Sequence, residues 1–550
     1  MKNIIKQIIG IVPATLFCAV LGFTACTDNF ESLNDNPNGL NPENIPLVMR
    51  FAQPQQSIYL NYLNRDYEYQ LQQNLNADLY SGYLGTPNDF GGNNNNNTYV
   101  MNDGWNNQAF TTGMINILKP ISQILDLTEE TDYIAIAKII RVAAIHRVSD
   151  MYGPLPYSKA MKGGTVVGYD SQEQLYKTFL EELTESVNAL TTFVDANGDQ
   201  PGRITFDVMC GQSHTRWIRF ANTLRLRLAM RMVKVDPATA KKEAEAAVSQ
   251  KYGVLTSADA NIEVKDKGLT NPLRTIAVDY NDSSLGGSFE SIMKGYDDPR
   301  LPEMALPVGW NGDLDIHGKD GKPLNKIGQY VGIRQGIPID DKNNYKMYSI
   351  PKFDVKDADK LTTKYPLPIM KVAEAYFLRA EGVLRGWSMG GGTAQSLYEE
   401  GIKASFDEYG ISADKYAAYI ADDVKMAADY ENPYDPEFSC PGVNKVTVKW
   451  NEAADNETKL QKIITQKWIA MFPEGQEAWS EFRRTGYPKL LPVADNRSKF
   501  IPKGEFIKRL PFTLNERNTN LEAVEEARTM LKGPDDPSTR LWWDVEGGNF

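Results

Sequence analysis

Three histidines and four cysteines are few for a chain of 550 residues. His146, His214 and His317 lie far apart, and no His-Glu-x-x-His occurs, so the usual helical zinc-hydrolase signature is missing. Gly-x-Ser-x-Gly and Gly-x-x-x-x-Gly-Lys-Ser/Thr are missing too, which removes the nucleophile elbow and the P-loop. The cysteines have no metal-ligand spacing, so neither a metal nor a cofactor is expected. A surplus of cations is also lacking: 59 Lys and Arg stand against 71 Asp and Glu, a formal charge of −12. That balance argues against nucleic acid, which needs concentrated Lys and Arg. No Pro/Ser-rich or single-charge linker divides the chain, so one large body is expected. Carboxylates are plentiful, but the acid pair of a glycosidase is defined by separation in space. The sequence demands no catalysis, and no enzyme is expected.

The N-terminus is laid out for export. Lys2 and Lys6 precede a mostly apolar run from Ile8 to Phe23, too short to span a bilayer and followed by no second run. Ala25-Cys26 resembles a bacterial lipobox, although Phe23 stands where an aliphatic residue is usual. Residues 1–25 are expected to be a signal peptide and Cys26 the lipid-attachment site. Removing them takes the charge from −12 to about −14. Residues 26–46, rich in Asn, Asp and Pro, read as an extended tether, and 47–550 as a single domain. Asp28 and Glu31 resemble the acidic surface-export signal of Bacteroidetes lipoproteins. Cys210 and Cys440 are left as two unpaired buried thiols.

Helical periodicity runs through 46–79, 106–127, 131–150, 171–193, 208–234, 237–250, 366–386, 393–409, 457–471 and 474–485. His146 falls within the third run and reads as a core or helix-end histidine. The runs fall mostly in pairs. Ala373, Tyr376, Phe377 and Ala380 on one helix, with Ala394, Tyr398 and Gly401 on the next, resemble a tetratricopeptide repeat: small residues allow close approach while rings fill the gap. Loop-rich inserts lie near 255–365, 425–455 and 487–515, the first with short strands.

The most ligand-like segment is Tyr80 to Tyr99, with Tyr83, Phe90, Gly91, Gly92 and asparagines from Asn93 to Asn97. Sugars are apolar on their C–H faces and hydroxylated at their edges, so rings and amides together suit them. Tyr80, Tyr83, Phe90, Asn94, Tyr99 and Trp310 are the candidate ligand contacts. Replacing Tyr83 and Trp310 by Ala is expected to weaken binding and leave the fold intact. The alternative for the asparagine run is a surface loop whose residues favour turns. Trp105 is expected to pack against neighbouring helices.

Several segments, in order, resemble the SusD/RagB family of outer-membrane nutrient-binding lipoproteins, in its SusD-like branch. They are Phe30 to Pro37, Val148 to Tyr157, Trp217 to Ala229, Pro368 to Glu381, Gln466 to Pro488, Arg509 to Phe512 with Glu516 and Asn520, and Trp542-Trp543-Asp544. The 217–229 helix carries Arg219, Arg225 and Arg227 among apolar residues, with Glu374 and Glu381 as expected partners. The resemblance implies a mainly α fold of tetratricopeptide-like helix pairs, with an irregular loop and short-strand face for the ligand. It also implies a lipid-anchored protein facing the cell exterior that captures oligosaccharide. As a lid, it would deliver the glycan to a SusC-like TonB-dependent transporter. The rival readings are the same lid with an oligopeptide, a surface glycoside hydrolase, and a protein-binding scaffold.

Overall fold

The computed structural model describes residues 45–59, 65–265, 271–353 and 367–550. The signal peptide, Cys26 and nearly all of the tether lie outside the described residues. The chain divides after Arg50. Of the first unit, the described residues hold the start of a tight turn, Leu47–Phe51. The helical frame and its loops belong to the second unit, Phe51–Phe550.

Among the described residues, eight long helices form the frame: α1 (Thr131–Tyr152), α2 (Gln172–Asn197), α3 (His214–Arg231), α4 (Pro237–Ser249), α5 (Val372–Leu384), α6 (Ala394–Glu408), α7 (Asn456–Met471) and α8 (Gly475–Thr485). They pack as consecutive pairs, and α2 on α3, α3 on α5 and α5 on α7 join the pairs. α1 is buried nearly all round, which is why Ile, Val and Ala cover its circumference rather than one stripe. Within it His146 is buried, its Nδ1 against the Val142 carbonyl at 2.8 Å. Starts and stops follow local chemistry. Ser171, Ser213, Thr393 and Asp455 cap α2, α3, α6 and α7 through their side chains. Gly198 and Gly486, both at positive φ, end α2 and α8.

The α5–α6 pair shows why small residues stand where they do. A Cβ on Gly401 would lie 2.8 Å from the Phe377 ring, and Phe377 meets Tyr398 edge-on with centroids 6.3 Å apart. Outside the helices, short strands among the described residues form three two-stranded antiparallel ribbons. With β1 (Leu84–Gly85), β2 (Ile262–Val264), β3 (Ser284–Leu285), β4 (Ala305–Leu306), β5 (Ile350–Pro351) and β6 (Leu367–Met370), the pairs are β1–β3, β2–β6 and β4–β5. Beneath the loops, Val308, Ile333, Ile339, Tyr345, Tyr348 and Tyr430 belong to a satellite core.

Several boundaries differ from the periodicity. The 46–79 run is broken into short turns, and Asn76, with φ −141° and ψ −87°, interrupts its last part. The 106–127 run begins earlier, at Asp103, and contains a wide π-turn at Gly113–Leu118. Short helices at Gly287–Gly295, Ala413–Ile420, Leu514–Thr519 and Leu521–Thr529 add to the expected set; each is too short for periodicity to mark. Cys210 is a free buried thiol, whereas Cys440 is free but only half-buried.

The arginines of α3 find partners by helix face. Arg227 and Arg231 are four residues apart and share a face. Arg227 pairs with Glu374 at 2.5 Å; Arg231 pairs with Glu477 at 2.5 Å and Glu481 at 2.9 Å. Arg225 turns away to Glu243 on α4, and Arg219 to Asp259. Glu381, expected opposite α3, instead holds Arg484 at 2.7 Å and Arg385 at 2.8 Å. Lys467 of α7 closes the network with Glu477 at 3.0 Å and Glu374 at 3.3 Å. Burial raises the Glu477 carboxyl, but Arg231, Lys467 and Arg227 outweigh it and hold the group down at about 2.

Candidate functional site

The loop from Thr86 to Tyr99 leaves β1 and returns to the short helix Asp103–Asn106. Its course is bent by positive φ at Phe90, Gly91, Gly92, Asn93 and Tyr99. Such a path leaves backbone groups without helix or sheet partners, and the asparagines supply them. The Asn93 amide brackets Ile339, donating to its carbonyl at 2.8 Å and accepting from its N–H at 2.9 Å. Asn95 accepts from the Asn97 N–H at 2.9 Å and donates to the Asp89 carbonyl at 3.0 Å. Asn96 donates to Asn106 at 2.8 Å, and Asn97 accepts from the Gly336 N–H at 3.1 Å. Four of the five asparagines therefore build the loop.

Burial divides the candidate contacts. Tyr80, Tyr83 and Tyr99 are 2%, 0% and 1% exposed, so these three offer no ring face to a ligand. This corrects the expectation from composition. Tyr80, in the helical turn before β1, and Tyr99, at the end of the loop, have ring centroids 5.8 Å apart, and Tyr80 packs on Trp479 of α8 at 5.2 Å. They close the loop against the helical frame. Tyr83 packs on Trp468 at 4.7 Å and Phe472 at 5.3 Å, and its hydroxyl donates to the Trp468 carbonyl.

Phe90 and Asn94 are brought together at the loop tip. Phe90 is half-buried and meets Trp105 edge to face, with centroids 5.2 Å apart and planes at 80°. Trp105 is itself half-buried, so part of its ring stays open beside Phe90. Asn94 is exposed and accepts from Arg497 at 3.2 Å; Arg497 also donates to the Gly92 carbonyl at 3.1 Å and to Asp495 at 2.6 Å. Arg517 donates to Asp103 at 2.7 Å, two residues before Trp105, and Phe500 is 57% exposed on the Arg497 loop. The tip thus combines two ring surfaces with amide and guanidinium donors.

Trp310 belongs to a separate turn, between Gly309 and Gly312 at φ +84° each. Its Nε1 donates to the Tyr348 carbonyl at 2.9 Å, and the ring is half-buried. Gly309 lies against Leu314 and Ile327, which are 65% and 41% exposed. Trp310 and the Phe90 tip reach the same satellite core, one through Tyr348 and the other through Ile339. Arg497 joins the site without a sequence signal. No local pattern marks Arg497, which lies some four hundred positions beyond its partners. No cluster of three or more metal-ligating side chains occurs among the described residues.

A family model described as SusD-like, SusD and RagB outer membrane lipoprotein, matches residues 29–544. Among solved structures, a chitin-binding SusD homologue from Flavobacterium johnsoniae is 42% identical with TM-score 0.84, over 92% of this chain and 100% of that one. A SusD homologue from Bacteroides vulgatus is 34% identical with TM-score 0.83, over 92% and 98% of the two chains. One from Bacteroides uniformis is 33% identical with TM-score 0.78, over 91% and 99%. No curated protein matches the chain. By fold, by ordered motifs and by a match across nearly its whole length, the chain belongs to the SusD-like family of outer membrane lipoproteins.

Proposed function

We propose that this protein is a non-catalytic, lipid-anchored glycan receptor on the cell exterior. It delivers oligosaccharide, as a hinged lid, to a SusC-like TonB-dependent transporter. The observation that carries the glycan reading is the chitin-binding homologue, 42% identical over the whole of that chain. The Phe90–Trp105 platform supports it, because a half-exposed aromatic pair ringed by amide and guanidinium donors matches the two sides of a sugar. Trp310 is proposed as a second stacking surface, and Cys26 as the lipid attachment.

Calorimetric titration with N-acetylglucosamine oligomers, starch oligomers and mixed oligopeptides tests the ligand class. Binding of a glycan is expected, with loss of about tenfold or more in Phe90→Ala/Trp105→Ala. A protein that binds the peptides and no glycan would overturn the glycan reading and leave the lid role. Purification from native outer membranes in mild detergent tests that role: a large barrel protein is expected to accompany the chain, and a chain that emerges alone would refute it.

A further inference from the structure

A second site lies far from the asparagine loop in sequence and differs from it in chemistry. A cavity of about 320 Å³ opens between the C-terminal end of α8, the loop after Gly486, residues 506–508 and the C-terminal segment 540–547. Six cations line it, Lys234, Arg483, Arg484, Lys489, Lys508 and Arg540, against one acid, Glu546. Two of the six are compensated: Arg484 by Glu381 and Glu481, both at 2.7 Å, and Arg540 by Asp544 at 2.7 Å.

The other four have no carboxylate in ion-pair contact among the described residues. Lys234 donates to the Gly547 carbonyl at 3.0 Å. Arg483 donates to the Lys508 carbonyl at 2.9 Å and to Ser480 at 3.0 Å, with its guanidinium over the Trp479 ring at 3.5 Å. Lys489 lies over Tyr487 at 4.6 Å. Lys508 lines the cavity, with Asp544 and Glu505 near enough to act on it but, among the described residues, in no ion pair with it. The bland account is that α3 and α8 end here, and cations favour helix C-termini. Each terminus supplies roughly half a negative charge, so two offset about one of four. Burial holds Lys234 below the usual lysine range; Asp544 and Glu457 oppose the shift, and Arg484 and Arg540 add to it. Burial and Arg540 do the same to Lys508.

We infer that this cavity is a binding site for a divalent oxyanion, a phosphate or sulfate group. Such a group offsets the charge of several lining cations at once, whereas a neutral sugar leaves the charge excess in place. The cavity is larger than a bare ion, so the group arrives either free or as an ester on a small sugar. The site is independent of the glycan platform, and its failure would leave that reading untouched.

The test uses the mature full-length chain at pH 7 and low ionic strength, titrated with inorganic phosphate, inorganic sulfate, glucose 6-phosphate and N-acetylglucosamine 6-sulfate. Potassium chloride at matched ionic strength is the control. Saturable binding is expected, weakened at least tenfold in Lys489→Ala/Lys508→Ala. The variant's melting temperature without anion should equal or exceed that of the wild type, because repulsion is relieved. Tighter binding of the esters would assign a sugar-borne group, and equal or tighter binding of the inorganic ions a free one. A response matched by chloride, or affinity unchanged in the double variant, would overturn the proposal.

Discussion

Tyr83 and Phe90 are seven positions apart, yet they have opposite roles. Tyr83 is sealed between Trp468, Phe472 and Phe289, and removing a buried ring of this size costs roughly 3–5 kcal/mol. Tyr83→Ala should lower the unfolding free energy in urea by that amount, and weak binding in such a variant would report unfolding, not a lost contact. Phe90→Ala should keep the unfolding free energy within about 0.5 kcal/mol of wild type, as for surface changes, while binding falls. Composition singled out this segment, but it could not separate rings that close the loop from rings that face solvent. The same holds for the asparagines. Asn93, Asn95 and Asn97 bind backbone and Asn96 binds Asn106, and only Asn94 is left at the tip beside Arg497.

Among elements, α3 shows how a two-residue step changes a partner. Arg227 faces α5 and α8; Arg225, rotated by about 200°, faces α4. Arg227→Met leaves Glu374 buried with Lys467 as its remaining cation, and breaking a buried pair on one side costs about 3–5 kcal/mol. Arg225→Ala should also lower stability, but by less, because Glu243 keeps Lys242 within 3.7 Å and its pair retains 9% and 10% side-chain exposure, against 2% and 0% for Arg227 and Glu374. Equal losses in urea unfolding for the two variants would contradict this ordering. Gly401→Ala tests the α5–α6 contact. The new methyl group meets the Phe377 ring, and overpacking of this kind costs about 1–3 kcal/mol. Periodicity revealed that these helices pair and that small residues lie between them. It left Arg231 unnoticed and assigned Glu381 to the wrong arginines, since pairing depends on how helices far apart in sequence cross.

For the whole molecule, the buried charges set the pH range of stability. Glu477 is held at about 2, below its ordinary 4.5, by Arg231, Lys467 and Arg227 against the opposing effect of burial. A carboxyl lowered on folding stabilises the folded state above its unfolded value, and that contribution is lost as pH falls from about 4.5 toward 2. Asp78 works in the opposite sense. Burial, set against hydrogen bonds from Gln73 and Tyr69, raises it from 3.8 to about 7. The folded state then binds the extra proton, so stability falls as pH rises from about 4 to 7. Unfolding free energies measured by urea between pH 2 and 8 should rise and then decline. Asp78→Asn should remove the decline and keep the acid limb; a decline that persists would show that another group causes it.

The sequence by itself was enough for the helical class, the pairing of helices and the family, because these rest on short-range spacing and on the order of motifs along the chain. The lack of catalytic signatures and of a cation surplus was equally plain there. Only the tertiary structure decided which rings are sealed and which face solvent, and which carboxylate each arginine meets. It alone brought Arg497 to Asn94, and gathered Lys234, Arg483, Lys489 and Lys508 around one cavity. The reason is physical: exposure and charge compensation depend on what packs nearby, and here the neighbours come from segments hundreds of residues apart.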